Sequence, residues 1–178
     1  HQTNELDVYQ RASLRNQEIG FVFQSFNLIG DLNIKENVAL PLTYRKLKKK
    51  EQYELTMQAL EKVGMADRAN YFPSQLSGGQ QQRIAVARSL VVDPSIILAD
   101  EPTGNLDQTN ADEIAELLFS CCQDNGAGLV VVTHSQSLAS RADHIFALEN
   151  GALRLIQDSV KVSAAPIAEM TDDVRVVS

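Results

Sequence analysis

The sequence predicts an open, largely parallel α/β sheet with an inserted helical lobe, and three observations carry that expectation. The short apolar runs Ile96–Ala99 and Leu129–Val132 read as strands buried on both faces. Stretches with helical spacing alternate with them, as in βα units. Polar residues gather just beyond the strand ends, at Gln24, Asp100-Glu101 and Thr133-His134. Open sheets of this kind bind ligands at the carboxyl ends of their strands.

Residues 5–18 are polar with apolar Leu6, Ala12 and Leu14, and predict a helix. Ile19, Phe21, Val22 and Phe23 form a β-type run around Gly20. Residues 25–44 mix turn formers with apolar positions, and Asp31 or Asn33 is placed to cap a short helix. The basic cluster Arg45, Lys46, Lys48, Lys49 and Lys50 reads as a solvated loop. Tyr53, Met57, Leu60 and Val63 have helical spacing, and Gly64 stands where a C-terminal cap belongs. Ile84, Ala87 and Leu90 mark a further helix, stopped by Asp93-Pro94. Ile114, Leu117, Leu118 and Cys121 mark another, at i, i+3, i+4, i+7. Ile145–Leu148 and Leu153–Ile156 flank Asn150-Gly151 and predict a hairpin. Three units are expected: residues 1–25 with 81–156 as the sheet core, 26–80 as the helical lobe, and 157–178 as a tail or linker.

The 178 residues suit one domain with an insertion. Lys and Arg number 16 against 23 Asp and Glu, a net charge of −7. That balance argues against a non-specific nucleic-acid binder, which needs a basic face for phosphates. No apolar run approaches the ~18 residues of a membrane span. Cys121 and Cys122 are adjacent and poorly placed to bridge each other, which favours a reducing, cytoplasmic setting.

Three groups carry chemistry. Asp100-Glu101 ends an apolar strand, where one carboxylate can hold Mg²⁺ beside a phosphate and its neighbour can orient water. The alternative is an acidic strand end in solvent. Ser77-Gly78-Gly79 precedes a helix, so backbone N–H groups and the positive dipole end make an anion site. Its alternative is an ordinary serine cap. His134 follows a Val-rich strand and is placed to touch a phosphate oxygen, or is simply a strand-end histidine.

Taken in order, these residues resemble the ATPase subunit of ABC transporters. Phe23-Gln24 resembles the Q-loop, Leu76-Ser77-Gly78-Gly79-Gln80 the signature motif, and Ile96–Thr103 the Walker B segment. Asn105-Leu106-Asp107 resembles the D-loop and Val132-Thr133-His134 the switch loop. The runs Phe21–Leu28, Glu36–Leu42 and Asp100–Asp107 are similar to the branch of lipoprotein-releasing, macrolide-export and cell-division ATPases. The resemblance implies a P-loop NTPase (RecA-like) core and a head-to-tail dimer of two ATPase subunits that sandwiches ATP. It also implies a membrane permease docked on the lobe near Gln24, and a place on the inner face of the cell membrane. Asp100 and Gln24 would attend Mg²⁺, Glu101 would orient the attacking water, and Gln24 and His134 would contact the γ-phosphate. Ser77, Gly78, Gly79 and Gln80 would complete the partner's ATP site, and Asp107 would couple the two sites.

One family element is missing. No Gly-x-x-x-x-Gly-Lys-Ser/Thr occurs in the chain, and only 23 residues precede Gln24. That loop would supply the backbone cradle and lysine for the β- and γ-phosphates. The expectation is therefore the C-terminal part of a longer ATPase domain, inactive alone. A non-hydrolytic partner subunit and a DNA-repair-type ATPase are the alternatives.

Overall fold

The computed structural model describes residues 6–149, 151–158 and 175–177. Helix α1 runs Val8–Glu18, behind a reciprocal cap. The Asp7 carboxylate accepts the Gln10 N–H at 2.7 Å, and the Gln10 side chain accepts the Asp7 N–H at 2.9 Å. Strand β1, Ile19–Phe23, leads to α2, Ile34–Ala39, and then α3, Lys49–Lys62. Asn33, and not Asp31, caps α2, in a capping box with Glu36. Gly64 ends the α3 turn at φ +70°, a conformation that costs glycine little. The α3 face differs from the expected one at Tyr53, which is exposed, while Thr56, Ala59 and Leu60 are buried.

Helix α4, Gly78–Leu90, is followed by β2, Ile96–Asp100, and α5, Gln108–Asn125, closed by Gly126 at φ +64°. Then come β3 at Gly128–Thr133, α6 at Gln136–Ala139, β4 at His144–Glu149 and β5 at Ala152–Asp158. The β4–β5 hairpin pairs Glu149 with Ala152, with Gly151 at φ +79°; Asn150, expected in the turn, lies outside the described residues. Strand β6, Arg175–Val177, completes a sheet of order β1-β2-β3-β6-β4-β5. The pairs β1–β2 and β2–β3 are parallel, and β6 runs antiparallel to both β3 and β4. The segment read as a tail from 157 therefore holds the end of β5 and a strand in the sheet. Three residues are too few to show a period-2 pattern.

Helix α4 joins the lobe to the sheet. It packs on β1 and on α2 and α3, so one buried cluster runs from Ile34 and Leu60 through Ile84 to Ile97 and Val131. The boundary expected at residue 80 falls within this helix. Arg45 also leaves the solvated loop expected of it. Its Nη2 donates to the Val92 carbonyl at 2.9 Å and to those of Asn16 and Gln17 at 3.3 Å, which ties α1 to the segment after α4.

At Gly20, β1 lies close against α4. A Cβ there would lie 2.6 Å from the Ser89 carbonyl oxygen and 3.0 Å from the Ser89 Cβ. Because the obstacle is backbone, Gly20→Ala is expected to destabilise by about 1–3 kcal/mol. A lowered urea midpoint with unchanged slope is the expected sign; an unchanged midpoint contradicts the close packing.

Candidate functional site

The strand register assembles the site. Phe23 pairs with Asp100 and Asp100 with Val132, so the carboxyl ends of β1, β2 and β3 lie level. Gln24, Glu101 and His134 therefore leave three adjacent strands at one edge of the sheet. Asp100 is the last residue of β2 and is exposed.

Glu101 turns sharply. It has φ +44°, which is uncommon for a side-chain-bearing residue and costs of order 1 kcal/mol or more unless its surroundings hold it. Four contacts do so. Its N–H donates to the Val132 carbonyl at 2.8 Å, and its carbonyl accepts the Gly104 N–H at 3.0 Å. Its carboxylate accepts the His134 backbone N–H at 2.8 Å and the Thr133 hydroxyl at 3.2 Å. Thr133 is fully buried and its hydroxyl also accepts the Ser135 N–H at 3.0 Å, which fixes its orientation. The His134 Nε2 lies 3.7 Å from the same carboxylate, with the imidazole more than half exposed. A cleft of about 280 Å³ opens here, lined in part by Glu101, Gly104, Leu106 and His134.

Gln24 is paired with the loop after β2. Its Nε2 donates to Asn105 Oδ1 at 3.2 Å, and Asn105 Nδ2 donates to the Gln24 carbonyl at 3.0 Å. Gly104 makes room, since a Cβ there would stand 2.8 Å from Gln24 Nε2.

Ser77 caps α4 through its hydroxyl, which accepts the Gln80 N–H at 3.3 Å, while Gln80 Oε1 accepts the Ser77 N–H at 3.1 Å. Both residues thus serve the helix end, and Gly78 and Gly79 are its first two helical positions. Gly79 is not in a loop. It is buried against α5, where a Cβ would meet Asn110 Oδ1 at 2.5 Å. Gly78 is more open, its nearest neighbours being Leu106 at 3.5 Å and Phe26 at 3.7 Å.

Asp107 caps α5. Its carboxylate accepts the Asn110 side-chain amide at 2.5 Å and the Asn110 N–H at 3.2 Å. The Asn110 side-chain bond, then that backbone bond, hold this carboxyl below the usual aspartate value. Asn110 therefore links Gly79 to Asp107, and the ends of α4 and α5 meet.

The structure brings Gln24, Asp100, Glu101 and His134 to one edge, and Ser77–Gln80 to the neighbourhood of Leu106 and Asp107. Sequence reasoning missed the supporting residues Thr133, Asn105, Asn110 and Gln82. Thr133 carries a signal, as the one hydroxyl ending a Val-rich strand. Asn105 carries one only as the first residue of the D-loop match, and Asn110 carries none beyond ordinary helix polarity.

The donors present fit a magnesium ion. Asp100 and Gln24 offer hard oxygen ligands at neighbouring strand ends, and no cluster of three or more His, Cys, Asp or Glu is present among the described residues. Magnesium is commonly held by one or two carboxylates together with substrate phosphates, not by an all-protein cage.

Comparison with known proteins agrees with this geometry. A family profile described as "ABC transporter" matches residues 1–104. The lipoprotein-releasing system ATP-binding protein LolD of Colwellia psychrerythraea is 42% identical over 174 residues, covering 95% of this chain and 67% of the relative. The uncharacterized ABC transporter ATP-binding protein YvrO of Bacillus subtilis is 47% identical over 144 residues, covering 81% and 62%. Among solved structures, the dimeric post-hydrolysis state of the ATP-binding cassette MJ0796, bound to ADP and Pi, superposes with a TM-score of 0.75 at 40% identity. That match covers 87% of this chain and 69% of the other. The chain thus spans about two thirds of the length of the relatives it matches. With Gln24, Asp100, Glu101 and His134 at one sheet edge, and with these similarities, the chain belongs to the ABC transporter family.

Proposed function

We propose that the chain belongs to the ATP-hydrolysing subunit of a transporter that drives export or lipoprotein extraction through a membrane permease. One observation carries the reading most: the Glu101 carboxylate, beside Asp100, is held on a left-handed turn by the His134 N–H and the Thr133 hydroxyl. A carboxylate fixed by two donors at the edge of a cleft suits orienting one water molecule in line with a phosphoryl group.

In this reading Glu101 accepts a hydrogen bond from the attacking water, and Thr133 and the His134 N–H keep the carboxylate in place. His134 sets its imidazole over the cleft to meet the γ-phosphate, and Gln24 approaches from the adjacent strand. Asp100 and Gln24 would hold Mg²⁺, which when bound supplies charge neutralisation for the phosphates. Ser77, Gly78, Gly79 and Gln80 present a helix end to a nucleotide carried by a second ATPase subunit, paired head to tail. Asp107, linked to Gly79 by Asn110, lies where the two sites would communicate.

The sub-family assignment is supported by the similarity to lipoprotein-releasing ATP-binding proteins. The permease partner and a peripheral position on the inner membrane face come with it.

The test uses the chain as it stands. Lacking the Gly-x-x-x-x-Gly-Lys-Ser/Thr loop, the 178 residues alone are expected to turn over Mg-ATP at background. Joined behind the P-loop segment of a lipoprotein-releasing relative, they are expected to hydrolyse it. Background turnover from the folded, dimer-forming chimera counts against the reading; robust turnover from the unjoined chain counts against the division of labour.

A further inference from the structure

The signature helix buries two polar side chains that no motif role uses; Ser89 bonds back to the Val86 carbonyl of its own helix, whereas Gln82 reaches outside it. Gln82, in the second turn of α4, is fully buried. Its Nε2 donates to the Pro102 carbonyl at 2.6 Å and more weakly to the Phe23 carbonyl at 3.4 Å. Its Oε1 is buried and has no hydrogen-bond partner among the described residues. An unpartnered buried acceptor is costly, so the donor side must matter to the fold or to the site.

The two carbonyls locate that role. Phe23 immediately precedes Gln24, and Pro102 immediately follows Glu101. One amide group therefore spans the ends of β1 and β2, at the point where β2 breaks into its left-handed turn. No other side chain among the described residues with an assigned hydrogen bond reaches both segments from α4. Helix α4 itself is seated tightly on β1 at Gly20 and Ser89, so it forms a rigid mount for this amide.

We propose that Gln82 is a positioning residue: from the signature helix it fixes the spacing of the Gln24 and Glu101 segments and so sets the Glu101 carboxylate on its two donors. The inference rests on the ATPase reading for its purpose, since Glu101 is the group being positioned. Its geometry is tested without nucleotide, so failure of one is separable from failure of the other.

The test is amide exchange in the intact chain, with two reporters that do not touch Gln82. The first is the His134 backbone N–H, bonded to the Glu101 carboxylate; the second is the Asn105 side-chain amide, bonded to the Gln24 carbonyl. Gln82→Met keeps the length of the side chain and removes both donors. It is expected to speed exchange at both reporters about tenfold, as local opening of the turn becomes easier. Ile84→Val, a buried truncation on the same helix, is expected to leave them unchanged once global stability is matched. Unchanged reporters in Gln82→Met, or equal acceleration in Ile84→Val, overturn the proposal. Should Gln82→Met not fold, the unmodified chain decides. The Gln82 side-chain protons are then expected to exchange slowly, with contacts to Pro102, and fast exchange overturns the assignment.

Discussion

Glu101→Gln is expected to keep nucleotide binding and to lower hydrolysis by about 10²–10³-fold in the chain joined to a P-loop segment. The substitution keeps the shape of the side chain and one acceptor oxygen. The Thr133 hydroxyl and the His134 N–H both donate to the present carboxylate, so a glutamine must either turn away or set its NH₂ against the Thr133 oxygen, with that hydroxyl rotated. Either outcome removes the charge and the fixed acceptor that an attacking water would meet. Binding of ATP should survive, because the phosphates are held elsewhere, and closed dimers should accumulate because they no longer empty. Single-turnover hydrolysis and equilibrium nucleotide binding, measured on the same preparation, separate these effects. Turnover within a few-fold of the parent would remove Glu101 from the role proposed for it.

The second large effect is expected at Gly78, and the structure determines why Gly78 and not Gly79 is the informative position. Both glycines begin α4. A side chain at Gly79 would drive into Asn110, displacing it from the Asp107 carboxylate, and an aspartate there would add like charge to the same cluster. Loss of activity in Gly79→Asp would therefore mix a blocked anion site with a disturbed α5 cap. Gly78 has only ordinary contacts with Leu106 and Phe26. A carboxylate in the first helical turn interacts favourably with the helix dipole, by about 0.3–1 kcal/mol, and replacing glycine also favours the helix. Gly78→Asp is thus expected to melt no lower than the parent while abolishing ATP-dependent pairing, because the carboxylate occupies the place of the anion. A clear fall in melting temperature, or pairing that survives, contradicts this account of the helix end.

Much of this was legible in the residues because local physics dominated there. The apolar runs at Ile96–Ala99 and Leu129–Val132 admit few readings besides buried strands, and Ser77 with Gln80 three residues on announces a capped helix. Gly64 likewise marks its helix end, and it takes the positive φ that glycine allows. The illegible parts depend on partners distant in sequence. Gln24 and Asn105 lie 81 positions apart, and only the level strand ends make them neighbours. Gly79 looks like loop glycine until α5 is packed against it. Arg45 reads as one more surface cation in a basic run, yet three carbonyls from two remote segments collect around it. Gln82 reads as one of three polar residues after the signature, and nothing local distinguishes the one that is buried. Tyr53 shows the converse: helical spacing placed it on the apolar face, but no neighbour covers it.

The central claim is that this chain's helix end at Ser77–Gln80 serves a nucleotide held by another subunit, while its own strand ends serve a nucleotide completed by that subunit. The most direct measurement is nucleotide occlusion in a mixed dimer of P-loop-joined chains. One subunit carries Gly78→Asp and the other a disabled P-loop. If the sites are shared head to tail, both lesions fall on one composite site and the other stays intact, so one ATP per dimer is occluded. If each subunit builds its site alone, the lesions fall on different sites, and folded, paired mixed dimers that occlude no ATP contradict the account.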